Sequence, residues 1–175
     1  MKKIHLVLLL VFALVSLFSW MKTHQLASDI RAAGARIDST EMRVHTIERS
    51  YELAEGMHYL QIYMNKLWFA GIEQNEPLTR FYLHELEEFM WDIVSRDITS
   101  RGKNVSELMQ AMAMPQLALL ENQLDKGDKV SFVMGYQGLM NSCNSCHIAV
   151  ERPYLVIDLP KQPVLDNQLF KPISK

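Results

Sequence analysis

Along most of this chain apolar residues return every third or fourth position, the period of an amphipathic helix, and no stretch alternates long enough to make a strand. The clearest stripe is Leu53, Met57, Leu60, Met64, Leu67 and Gly71. It predicts a first helix that opens at Asp38, Ser39, Thr40 and Glu41, which have the form of a capping box, and ends near Asn75. Asn75, Glu76 and Pro77 then supply a capping side chain and a proline near the first helical position, so a second helix follows with Leu78, Tyr82, Leu86, Phe89 and Ile93. Residues 95–103 break the pattern and read as a loop. Asn104 and Glu107 repeat the capping arrangement and open a third helix through Leu108, Met112, Leu117, Leu120 and Leu124, which Pro115 should kink or restart. After a turn at Asp125, Lys126, Gly127 and Asp128, a fourth helix carries Phe132, Tyr136, Leu139, Cys143, Cys146 and Val150.

Four amphipathic helices with short connections predict an all-α fold, an up-down-up-down four-helix bundle over residues 38–152. Beyond it, Pro160, Pro163 and Pro172 exclude regular helix, and residues 153–175 read as an extended tail. Whether that tail lies against the bundle or hangs free is left open by the sequence.

The N-terminus has another character. Residues 4–21 contain only His5, Ser16 and Ser19 as polar members, with Lys3 before and Lys22 after. The apolar region of a secretory signal has about 7–15 residues and a spanning helix about 18 or more, so this run lies between the two. Its small pair at cleavage spacing, Val11 and Ala13, falls inside the run. Residues 1–22 therefore read as a signal peptide or an uncleaved membrane anchor, with the anchor slightly ahead, the basic flank in the cytoplasm and the remainder exported. Residues 23–37 continue as a polar helical stalk with Gly34 as a weak point.

Composition narrows the partners. Of 175 residues, half are apolar and only 13 are Gly or Pro, which excludes a collagen-like or wholly disordered chain. Lys2, Lys3 and Lys22 are the only Lys, Arg, Asp or Glu among the first 22 residues, so the rest carries 15 basic against 20 acidic side chains and is no nucleic-acid binder.

The chemistry is concentrated in Cys143, Asn144, Ser145, Cys146 and His147. Cys-x-x-Cys-His is the attachment pattern of a c-type haem. On one helical turn the two thiols face the same side and can each add across a haem vinyl group, while the adjacent imidazole reaches the iron. A thioredoxin-like pair needs a βαβ pattern and a zinc site needs more soft ligands nearby; neither is present in the sequence. Export strengthens the haem reading, because covalent attachment takes place on the far side of the membrane.

A helical bundle with Cys-x-x-Cys-His near the end of its last helix resembles the cytochrome c′ and four-helix class II c-type cytochromes, over roughly residues 40–155. Lys66 through Gly71 (Lys-Leu-Trp-Phe-Ala-Gly), Asn75 with Leu78, and the late haem motif are similar to a group of exported bacterial haem proteins of that bundle type, although Glu76 stands where that group often has Trp. The resemblance implies one covalent haem c in the bundle, thioether bonds from Cys143 and Cys146, and His147 as proximal iron ligand.

If a protein side chain fills the sixth iron position, helix heights select Met64. With Asn75 and Asp128 at one end of the bundle, backbone rise alone puts His147 at roughly 28 Å, Met64 at roughly 16 Å and His58 at roughly 25 Å. Side chains tilt toward their own helix N-terminus, which in antiparallel helices brings His147 to about 23 Å and Met64 to about 21 Å but lifts His58 to about 30 Å. Met64 also lies on the apolar stripe, and His58 sits one position off it. The competing reading is a methionine that packs against the haem face and leaves the iron five-coordinate. Arg152 and Lys161 are candidates to meet the propionates, or are simply exposed bases. His24, His45 and His84 read as surface residues, and most of the 11 Met as core packing.

Three functions fit such a chain: periplasmic electron transfer, with a redox partner the sequence does not identify; gas binding or sensing through an open sixth position; and a haem-stabilised interaction protein. No Ser-His-Asp set, phosphate loop or paired carboxylates at catalytic spacing appear, and no distal His with a partnering Arg, so an enzyme is not expected. The expected location is the periplasm, at the inner membrane if the anchor is kept, and a homodimer is compatible with the sequence.

Overall fold

The computed structural model describes residues 2–165 and 167–173, with the side chains at 2, 3, 6, 7, 9 and 49–51 left aside. The protein is all-α, as the 3.6-residue period predicts. Its elements are α1 (Lys2–Ile72), α2 (Glu76–Ser95), a two-residue pair of strands β1 (Thr99–Ser100) and β2 (Lys103–Asn104), α3 (Val105–Leu108), a π turn (Met109–Ala113), α4 (Met114–Leu124) and α5 (Lys129–Ala149). The chain divides into two compact units, Met1–Glu48 and Arg49–Lys175.

The first unit is the N-terminal part of α1. Among the described residues no helix is long and apolar enough to cross a membrane. The predicted apolar run includes Leu6, Val7 and Leu9, whose side chains lie outside the described residues. No helix starts at Asp38. Ser39 Oγ and Thr40 Oγ1 instead donate back to the carbonyl of Arg36, at 2.9 and 2.8 Å, the use such hydroxyls find inside a helix that does not stop.

In the second unit most of the predicted stripe positions of α1, α2 and α5 are buried, and those of the third predicted helix only at Leu117 and Leu120. Leu60, Met64, Leu67, Ala70 and Gly71 of α1 meet Tyr82, Leu86 and Ile93 of α2, Leu117 and Leu120 of α4, and Phe132, Tyr136 and Leu139 of α5 in one core. Each large aliphatic side chain so buried contributes about 1.5–3 kcal/mol. Gly71 permits the closest approach: a Cβ there would lie 2.1 Å from the Phe132 ring.

Local chemistry sets the ends. The Asn75 side chain accepts from the Leu78 amide and the Asp128 side chain from the Ser131 amide, and Gly127 makes the left-handed turn between α4 and α5 (φ 71°). Residues 95–103 hold more than a loop. Arg101 and Gly102 both adopt positive φ and join β1 to β2 in register Thr99↔Asn104 and Ser100↔Lys103, as a tight hairpin requires. The break expected at Pro115 takes the form of the π turn just ahead of it, where the Met114 amide reaches back to the Met109 carbonyl. That extra residue shifts the buried face from Leu108 and Met112 to Met109 and Ala113.

The tail is non-helical and lies along the second unit. Asn65 Nδ2 donates to the Gln162 carbonyl (3.0 Å) and its Oδ1 accepts from the Val164 amide (2.9 Å). Asn75 Nδ2 donates to the Phe170 carbonyl at 2.9 Å, and the Phe170 ring is buried against Phe69. Gln168 also meets the Tyr82 hydroxyl.

Candidate functional site

The last turns of α5 carry Cys143, Cys146 and His147. Spacings of three and four place them on one side of the helix, and all three line a cavity of about 500 Å³. Its other walls are Leu60 and Met64 of α1, Met90 of α2, Met109 and Ala113 of the π turn, and residues 154–157 of the tail. Ser100, from the small hairpin, lies at the same cavity.

The ring of His147 is held from behind. Its Nδ1 lies 2.8 Å from the Leu155 carbonyl oxygen, and a carbonyl can only accept, so Nδ1 carries a hydrogen and, in the neutral ring, Nε2 is the nitrogen with the lone pair. The tail reaches that position through two local devices. Glu151 adopts φ 61° and closes α5, with the Arg152 amide on the His147 carbonyl (2.8 Å) and the Glu151 amide on that of Ile148 (3.0 Å), the double hydrogen bond of a Schellman turn. Asn144, between the two cysteines, then grips the returning chain: Nδ2 donates to the Ile157 carbonyl at 2.9 Å and Oδ1 accepts from the Ile157 amide at 2.7 Å.

Burial, then the neighbouring Cys146, pushes the Cys143 thiol up to about 11, and burial also raises Cys146. Both stay protonated at neutral pH, whereas a reactive dithiol needs a lowered value. Among the described residues no group of three or more His, Cys, Asp or Glu is placed to hold a metal ion. No protein-family model, curated protein or solved structure matches this chain.

Met64 is 4% exposed, and the Tyr136 hydroxyl donates to its backbone carbonyl at 3.0 Å, tying that turn of α1 to α5. Burial raises the Tyr136 phenol well above its ordinary value, so it remains a donor. His58 also lines the cavity, from an exposed position on α1. Arg152 lines it too and reaches Ser100 Oγ at 3.3 Å, while Lys161 is exposed on the tail. His84 and His45 are exposed beside Glu88 (3.4 Å) and Glu48 (3.7 Å), and His24 meets the Trp20 ring edge-on. Sequence reasoning missed the tail wall, the grip of Asn144, and three further methionines at the cavity, Met57, Met90 and Met109. The sevenfold spacing of Met57 and Met64 was a usable signal for the first; a lone Asn inside the motif carries none.

The residues fit a haem. The cavity falls in the ordinary range for cofactor sites, about 300–1,000 Å³, its walls are largely aliphatic and thioether side chains, and the two thiols and the imidazole open into it from one helix face.

Proposed function

We propose that this chain is an exported c-type cytochrome, a one-haem electron carrier and not an enzyme, with residues 49–152 in an up-down-up-down four-helix arrangement. The single observation that carries the reading is the convergence of Cys143, Cys146 and His147 on one apolar cavity with the His147 tautomer fixed by Leu155. Cys143 and Cys146 would bond haem c through thioethers and His147 would hold the iron from Nε2. When bound, the haem supplies one-electron exchange between ferrous and ferric iron.

The protein's own part follows from the geometry. The Leu155 carbonyl accepts from Nδ1 and orients the ring, aliphatic and thioether side chains supply the apolar lining, and Arg152, also at the cavity, would meet a carboxylate. Met64 is the side chain proposed for the sixth position, because it is buried at the cavity on a turn of α1 whose backbone Tyr136 ties to α5. An empty sixth position would suit gas binding instead. The apolar run of residues 4–21, with basic flanks, supports export to the periplasm and retention at the inner membrane.

The test is colour that survives denaturation. Wild-type chain made with export and haem-maturation machinery should keep its haem in denaturant, and Cys143→Ala with Cys146→Ala should lose it; a colourless wild type sinks the proposal. Reduced protein that binds carbon monoxide at once would replace electron transfer by gas binding. Carbonate-washed membranes should retain the full-length chain, and recovery of a soluble form starting between residues 20 and 29 would remove the anchor.

A further inference from the structure

The first unit holds a second apolar face, distinct from the run at residues 4–21. Leu26, Ile30, Ile37, Val44 and Ile47 are 47–66% exposed on α1. Their positions follow a heptad: Thr23, Ile30, Ile37 and Val44 repeat every seven residues as a positions, and Leu26, Ala33, Thr40 and Ile47 as d positions. β-Branched residues dominate a, the preference of parallel two-stranded coiled coils.

The charges beside this seam agree with one partner. In the same register Arg36 and Arg43 take g positions, and Glu41 and Glu48 take e positions. In a parallel pair each g side chain faces the e side chain five residues later on the other helix, so Arg36 meets Glu41 and Arg43 meets Glu48 of the second copy, four pairs in all. An antiparallel pair that aligns the same heptads sets arginine against arginine and glutamate against glutamate. Nor are these charges spent within the helix. None of the four has Lys, Arg, Asp or Glu of opposite sign three or four residues away. Within the described residues, Glu48 meets His45 at 3.7 Å, and Arg36, Arg43 and Glu41 join none of the ion pairs.

We infer that residues 23–48 form a parallel, two-stranded coiled coil with a second copy of this chain. The inference does not rest on the haem reading, since a colourless chain would serve equally in its test. Anchoring two copies in one membrane would further raise their effective concentration.

The experiment uses the full chain in mild detergent, with mass read by sedimentation. Wild type should be dimeric at micromolar concentration. Arg36→Glu with Arg43→Glu, and separately Glu41→Arg with Glu48→Arg, turn four attractions into repulsions and should each weaken the dimer about tenfold or more. Mixing the two variants, differently tagged, should restore a mixed dimer. Thr23→Cys should cross-link to itself under mild oxidation, with the peptide identified by mass spectrometry, because only a parallel pair brings two copies of residue 23 together. A monomeric wild type, variants that stay dimeric, a mixture that does not pair, or absence of the residue 23 cross-link would each overturn the inference. A monomer whose segment is protected only on adding vesicles would assign the face to the lipid surface instead.

Discussion

Replacing Asn144 by Ala should open the tail without touching either cysteine or the histidine. The substitution removes two hydrogen bonds, of 2.9 and 2.7 Å, to the main chain of Ile157. At about 0.5–1.5 kcal/mol net for each, the pair holds the tail down by about 1–3 kcal/mol. The Asn144 amide and Ile157 are half-buried, so water recovers part of the loss and the lower part of that range applies. The open tail should then be about tenfold more populated. Trypsin cleavage after Lys161 reads this, because its main chain is held between the Asn144 grip at Ile157 and the Asn65 grip at Gln162 and Val164 and must come free to enter the protease, so cleavage slower than reclosing follows the open population. Asn144→Asp keeps the acceptor for the Ile157 amide but sets a carboxylate oxygen against the Ile157 carbonyl in place of a donor, and should be cleaved faster than wild type as well. Equal cleavage rates for wild type and Asn144→Ala would show that the contact bears no load and refute the reasoning.

Gly71→Ala should lower the melting temperature, because overpacking against the buried Phe132 ring costs about 1–3 kcal/mol and exceeds the helix-propensity gain of about 1 kcal/mol; Gly34→Ala, with no atom within 4 Å of the new Cβ, should instead raise helicity. Asp128 has its carboxyl lowered by the amide and hydroxyl of Ser131, so its contribution to stability is present above the ordinary carboxylate value of 3.8 and is lost as pH falls through the folded value. The melting gap between wild type and Asp128→Ala should therefore be wide at pH 7 and close in acid, and a gap that widens in acid would contradict the assignment. For the ferric haem-loaded protein, Met64→Ala should abolish a sulfur-to-iron charge-transfer band; a band that persists in the variant, or is absent from wild type, removes Met64 as ligand.

The parts legible in the sequence are those governed by neighbours a few residues apart. The stripe from Leu53 to Gly71, the caps Asn75 and Asp128, and the facing of Cys143, Cys146 and His147 all follow from helical period and short-range hydrogen bonding. Ser39 and Thr40 misled because a capping box competes with the option of simply continuing the helix, and Gly34 costs the helix only about 1 kcal/mol. At Pro115 the break was readable, but its form was not, so the buried face was placed one residue off at Met109 and Ala113. The tail was illegible for another reason. Asn65 meets it across 97 and 99 residues of chain and Asn75 across 95, and no local pattern distinguishes a gripping asparagine from an exposed one.

Residues 154–157, which wall the cavity behind His147, come after the motif they cover. In a chain made from its N-terminus, the helices and both cysteines exist before that wall does. Until residues 154–157 have folded back the cavity stands open on that side, and it is Asn144, inside the motif itself, that fastens them at Ile157. A chain cut before Leu155 would lack the carbonyl that orients the His147 ring, so the imidazole would stand at the cavity without its backbone partner.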